Sequence, residues 1–161
     1  AIAQKPAADR PALTIRSETI RCPLATYSEM DLAWAKEAIK GNASFLIKVR
    51  ARRILALEKM RAQGDTWPVE IQVLRLGHDT AMVALPGEVF LELGMAIKEG
   101  SPFDTTLVVE LAGASDLAYV PTSKAYVEGA YEVINSRLAP GSGEQMVRAA
   151  LRMLQQLKSE L

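Results

Sequence analysis

Residues 69–87, VEIQVLRLGHDTAMVALPG, constrain the fold more than any other stretch. Two short, apolar-rich β-type segments flank Gly77-His78-Asp79, where Gly and Asp favour a tight turn. The second segment runs straight into LPGEVFLELG, which sets Glu88 directly after a Pro-Gly turn. Val89, Leu91, Leu93, Met95, Ala96 and Ile97 then follow in a helical pattern that closes at Gly100-Ser101-Pro102. Next comes TTLVVELAG (residues 105–113), a β-rich and mostly apolar run of the kind expected in a central strand. A hairpin, a helix and a further strand in this order demand a sheet with helical cover.

The flanks extend that pattern. LTIRSETIRCPL (residues 13–24) alternates apolar and polar positions and predicts an extended strand or strand pair ending at Pro23. Ser28-Glu29 offers a helix start, and Met30, Leu32, Trp34, Ala35, Ala38 and Ile39 continue it to Gly41. A second helix is expected over residues 44–63. Phe45, Leu46, Val49, Ile54, Leu55 and Leu57 would form its apolar stripe, and Lys48, Arg50, Arg52 and Arg53 a solvated basic side. GDTWP (residues 64–68) breaks the helix before the β-type segments begin. After AYVPT a helix is predicted over residues 123–132, then a loop, SRLAPGSGE, and an amphipathic helix over 145–161. Ser142 reads as an N-cap of that last helix; the competing reading makes SGE an anion site. The whole predicts an α/β or α+β chain, a mixed β-sheet flanked by helices. Residues 1–11 are Ala/Pro-rich and read as a flexible N-terminal segment. Residues 12–161 form the folded part, and the chain reads as a processed product or a piece of something longer.

Composition removes several function classes. Nineteen basic residues balance nineteen acidic ones in the 161-residue chain. Nucleic acid is therefore not expected as a partner, because phosphate binding needs a concentrated basic face. No apolar run reaches the roughly 18–20 residues of a membrane span. Cys22 is the only cysteine, expected as a buried structural thiol rather than a reactive one. His78 is the only histidine, so a His-rich zinc site cannot be built from this chain alone. Its place at a hairpin tip predicts a solvated turn residue.

Two strand–helix junctions remain as candidate sites, since ligands of such sheets gather where strand ends meet helix starts. At ALPGE, Glu88 is either a ligand or a carboxylate of a first helical turn, where the helix dipole contributes about 0.3–1 kcal/mol. At AYVPTSKAYVEGAYE, three of the four tyrosines (Tyr119, Tyr126 and Tyr131) fall within thirteen residues. Their spacings do not fit one helical face, and spacing alone reads them as packed rings with satisfied hydroxyls.

Taken with the intervening β-rich run and SRLAPGSGEQMVRAALRML, the PGE turn and the YVPT…Y…YE stretch resemble the back portion of the catalytic domain of neutral/alkaline ceramidases, in the style of short bacterial relatives. The likeness covers roughly residues 13–157. It implies a zinc-dependent amidohydrolase that cleaves the N-acyl bond of ceramide, or of a related lipid amide. It also implies that Glu88 and Tyr119 are zinc ligands, that Tyr131 hydrogen-bonds the reacting carbonyl or oxyanion, and that Tyr126 only packs. Two histidine ligands would come from outside this chain, in the N-terminal half of the same catalytic domain. The chain alone would be inactive, and a secreted or periplasmic home is implied. The alternative is a non-catalytic ceramidase-like binding or scaffold domain without metal. The chain departs from the long ceramidases in lacking both histidine ligands and the C-terminal β-rich domain.

Overall fold

A computed structural model describes residues 13–113, 117–129 and 131–160; the segment 1–11 expected to be flexible lies outside them. The elements run β1 (Leu13–Pro23), α1 (Glu29–Lys40), α2 (Phe45–Arg61), β2 (Thr66–Leu76), β3 (Thr80–Ala84), β4 (Glu88–Val89), α3 (Leu91–Gly100), β5 (Thr105–Val109), β6 (Tyr119–Val120), α4 (Ser123–Glu128), α5 (Tyr131–Ile134) and α6 (Ser142–Ser159). Four strands form one mixed sheet in the order β1-β2-β3-β5, antiparallel except for the parallel β3/β5 pair. The expected mixed sheet flanked by helices is present.

Alternation decides which side of the sheet is buried, because successive side chains of a strand point to opposite faces. Val69, Ile71, Val73, Ala81 and Val83 point inward and are fully buried. Met146, Ala149, Ala150, Met153, Leu154 and Leu157 of α6 cover them, with Leu93 and Ile97 of α3 in the same cluster. Cys22, next to the end of β1, lies inside this core, and burial raises its thiol to about 11 despite a hydrogen bond with Ser142. It is a structural thiol.

The other face carries no helix from the described residues. Its register aligns Ile15, Leu74, Met82 and Leu107 in one row across all four strands. Leu13, Leu76 and Val109 lie in the adjacent rows, and Ile15, Leu107 and Val109 are exposed.

Several expectations are corrected. β5 is an edge strand, paired only with β3, rather than a central one; Leu107 and Val109 lie on the exposed face and Val108 packs against the core. β2 begins at Thr66, earlier than the GDTWP break implied, and tolerates Pro68 because β3 pairs only with Gln72 onward. The predicted helix over 123–132 is two helices separated at Gly129, whose φ is +71°. In α2 the buried residues are Ala51, Ile54 and Leu57, whereas Phe45 and Leu46 are exposed. The last helix starts at Ser142 behind a left-handed Gly141, so Ser142 is no N-cap; its hydroxyl donates to the Ala139 carbonyl (2.8 Å). Glu144 of that first turn accepts the Ser123 N–H (2.7 Å), which sets a carboxylate where the alternative reading placed an anion.

Candidate functional site

The site lies beyond the C-terminal ends of β3 and β5. Leu85, Pro86 and Gly87 carry the chain off β3, and Gly87 adopts φ +82°. A Cβ there would sit 2.7 Å from the Ala118 carbonyl oxygen, so the turn requires glycine on two counts. That close approach lets β4 and β6 pair in parallel, Glu88 opposite Tyr119 and Val89 opposite Val120. Glu88 is therefore not in a first helical turn, since α3 begins only at Leu91.

Three successive backbone N–H groups, from Glu88 to Phe90, are held. The Glu88 N–H donates to Ala118 O (2.8 Å) and the Phe90 N–H to Val120 O (3.1 Å), while Gly87 O accepts the Leu111 N–H (3.0 Å). Between them the Val89 N–H donates to the Glu110 carboxylate at 2.7 Å. Two residues beside these contacts, Leu111 and Ala118, hold left-handed backbones at φ +55° and +56°. Such strain costs about 1–3 kcal/mol each and gathers at functional sites.

The three residues singled out in the sequence come together. Tyr119 stands opposite Glu88 in the β4–β6 pair, close enough for the carboxylate to act on the phenol, and the Tyr131 ring meets Tyr119 edge-on, with centroids 5.8 Å apart and an interplanar angle of 74°. Tyr119 is half-buried, Glu88 is exposed, and Tyr131 is 62% exposed at the start of α5. Desolvation pushes the Tyr119 phenol above its ordinary value; the neighbouring Glu88 carboxylate, then Tyr131 and Glu132, push the same way. Alongside runs an apolar groove of about 260 Å³, with Phe90, Leu91, Met95 and Val108 in its walls and Lys98 and Glu110 as its polar groups.

The remaining residues fall elsewhere. Tyr126 packs with its hydroxyl on Ser136 Oγ (2.8 Å) and the Leu138 carbonyl (2.7 Å), as expected of a structural ring. His78 sits in the β2–β3 turn, where its carbonyl accepts the Lys158 ammonium (2.9 Å). The length of β3, on the order of 16 Å at about 3.3 Å per residue, separates it from Glu88. Glu110 and Glu132 were missed by sequence reasoning. Glu110 left one signal, an acid directly after the apolar run of TTLVV.

Chemically, Glu88 and Tyr119 present two oxygens suited to a hard or borderline cation. Among the described residues no group of three or more His, Cys, Asp or Glu gathers that could hold a metal. Two such donors are fewer than the four ligands that a tetrahedral zinc takes.

Solved structures that share this mixed-sheet α/β fold include ceramidases. A neutral ceramidase from Pseudomonas aeruginosa matches 93% of this chain with a TM-score of 0.58 and 17% identity. A ceramidase complexed with C2 matches 60% of it, with a TM-score of 0.51 and 19% identity. The resemblance read from the sequence is borne out in the fold. The chain spans 29% and 16% of those two chains. No family model matches the sequence, and neither does any curated protein.

Proposed function

We propose that this chain is the back part of the catalytic domain of a zinc-dependent amide hydrolase resembling neutral ceramidase, and that it supplies half of the metal site. Glu88 and Tyr119 hold the zinc from this side, and two histidines from the N-terminal half of the same domain complete the set. When bound, zinc polarises the scissile carbonyl and lowers the pKa of its water to about 7. Tyr131 donates its hydroxyl toward the carbonyl oxygen, a bond that strengthens as negative charge develops there. The apolar groove beside Glu88 suits an acyl chain, which favours an N-acyl-sphingosine or a related lipid amide as substrate. Alone the chain is inactive, because two ligands do not fix a tetrahedral zinc. A secreted or periplasmic location accompanies this reading; no helix among the described residues is long and apolar enough to cross a membrane.

The observation that carries the reading is the meeting of Glu88 and Tyr119 from separate segments, with Tyr131 against the second. Zinc content and turnover, measured separately on the chain joined to its front half, test it. Glu88→Gln is expected to lower zinc affinity at least about tenfold, since even indirect partners of a metal site are worth 10–100-fold, and to lower activity with it. Unchanged zinc content and turnover refute the role. One observation favours the alternative, a metal-free binding or scaffold domain: Glu88 and its surroundings make the Tyr119 phenol hold its proton more tightly, whereas a zinc ligand must give it up. That alternative expects zinc at background in the joined protein before any substitution is made.

A further inference from the structure

The α1–α2 hairpin ends in an apolar tip that none of the described residues covers. Phe45, Leu46 and Ile47 open α2 as three consecutive large apolar residues, 75%, 72% and 42% exposed. From Arg53 onward α2 leans on the body. Arg53 donates to the Asn135 carbonyl (3.0 Å), and Ala56, Leu57 and Met60 share a cavity with Ile134 and Asn135. Before Arg53 the helix packs on α1, through Ala51 against the cluster of Ala35 and with Arg50 5.2 Å over the Trp34 ring. Phe45 lies eight residues ahead of Arg53, so the tip projects on the order of 12 Å past that contact.

Charge and shape identify what the tip fits. Lys40 closes α1 before the connection to the tip, Lys48, Arg50 and Arg52 follow within the first half of α2, and no acidic residue occurs between Glu37 and Glu58. Glu37 itself is paired with Lys40 (3.3 Å). A helix that docks in a protein groove presents apolar residues at i, i+3, i+4 and i+7 along one face. Phe45-Leu46-Ile47 instead fan around the helix end, each about 100° from the last, forming a plug flanked by basic residues. Basic residues beside exposed apolar groups are the chemistry of a segment lying at an anionic lipid surface.

We propose that the tip of the α1–α2 hairpin docks the protein on a bilayer bearing anionic phospholipids. Phe45, Leu46 and Ile47 enter the boundary between headgroups and acyl chains, and Lys40, Lys48 and Arg52 engage the headgroups. The hairpin is tied to the site: Asn135, which takes the Arg53 bond, donates its side-chain amide to the Tyr131 carbonyl (2.7 Å), and Tyr131 rests on Tyr119. Docking there sets the site near the phase that holds a lipid amide, so the purpose of the contact rests on the proposed function while its geometry does not.

Co-sedimentation of the chain, and of the chain joined to its front half, with vesicles of phosphatidylcholine and phosphatidylglycerol in equal parts tests the proposal. Binding by the chain alone and not by the joined protein overturns it, because the tip would then be covered by the front half. Both forms are expected to bind these vesicles, to bind pure phosphatidylcholine less, and to lose binding as salt rises. Phe45→Ser with Leu46→Ser should cut partitioning by roughly tenfold or more while leaving the thermal melt in place, since both side chains are exposed. Lys48→Glu with Arg52→Glu should remove the preference for the anionic lipid. Absence of vesicle binding, or binding that the Phe45/Leu46 variant retains, overturns the proposal. So does self-association that this variant abolishes in a chain that ignores vesicles, which would assign the tip to a second copy. Glu88→Gln should bind vesicles as the parent does, so failure of the zinc reading and failure of this one are told apart.

Discussion

The Tyr119 phenol reports on its surroundings through its proton. Its folded value lies above the ordinary 10.0, with desolvation the leading cause and Glu88 the next. A raised value means that the folded chain holds this proton more tightly than the unfolded chain does. The resulting stability is fully present below pH 10 and is lost as pH rises through the folded value. Ultraviolet titration of the tyrosines is expected to show Tyr119 titrating late along with Tyr27 and Tyr126, whose burial raises them too, and Tyr119→Phe identifies its share of the late phase. Glu88→Gln should bring the Tyr119 phenol down without restoring the ordinary value, because desolvation remains; a titration identical to the parent would separate the two side chains. Glu88 was legible as a candidate because a carboxylate after Pro-Gly at a strand–helix junction is visible in one line of sequence. Its meeting with Tyr119 was not, since spacing along the chain says nothing about a parallel contact made through two other segments. The family resemblance, rather than periodicity, paired the two residues in advance. Glu110 escaped because its use is to hold the Val89 N–H, a backbone contact with no side-chain pattern to betray it.

Among elements, the least conspicuous strands matter most to the site. β4 and β6 are two residues each, too short for any alternation to register, and neither was legible. The long alternating strand β1 and helix α1 were, the latter down to its boundaries: Ser28 and Asp31 form a capping box and Gly41 closes the C-terminus. The edge position of β5 was hidden because an apolar run reads alike in a sheet centre and beside an uncovered face. The failure over α2 has a different cause. Its apolar residues are spread around the axis, so no stripe separates the buried Ile54 and Leu57 from the exposed Phe45 and Leu46. The β4–β6 pair yields a direct test at Gly87. Gly87→Ala forces a Cβ to 2.7 Å from the Ala118 carbonyl at a φ that disfavours alanine, and should cost about 1–3 kcal/mol in urea unfolding. The same variant should lower the Tyr119 phenol, because the turn that delivers Glu88 will have moved. An alanine variant as stable as the parent would show that the strands need not approach so closely.

At the scale of the whole molecule the sheet has two unlike sides. Leu154 is fully buried in the cluster beneath the inner face. Leu154→Ala should cost about 2–5 kcal/mol, through lost apolar transfer and a cavity. Leu107 stands in the bare row of the outer face at an edge strand, 44% exposed. Leu107→Lys should change stability by no more than about 0.5 kcal/mol and should raise solubility, because charged edge residues resist pairing with other chains. Thermal melts and the saturating concentration of each variant check both halves; an equal loss of stability at the two positions would mean that the outer row is covered. The unevenness has a practical reach. In a pool of random variants sorted only for soluble yield, changes at Val69, Ile71, Val73 and Val83 would vanish, whereas polar replacements at Ile15, Leu74, Met82 and Leu107 would accumulate. Counting survivors strand by strand would thus recover the up–down pattern of the sheet without any assay of what the protein does.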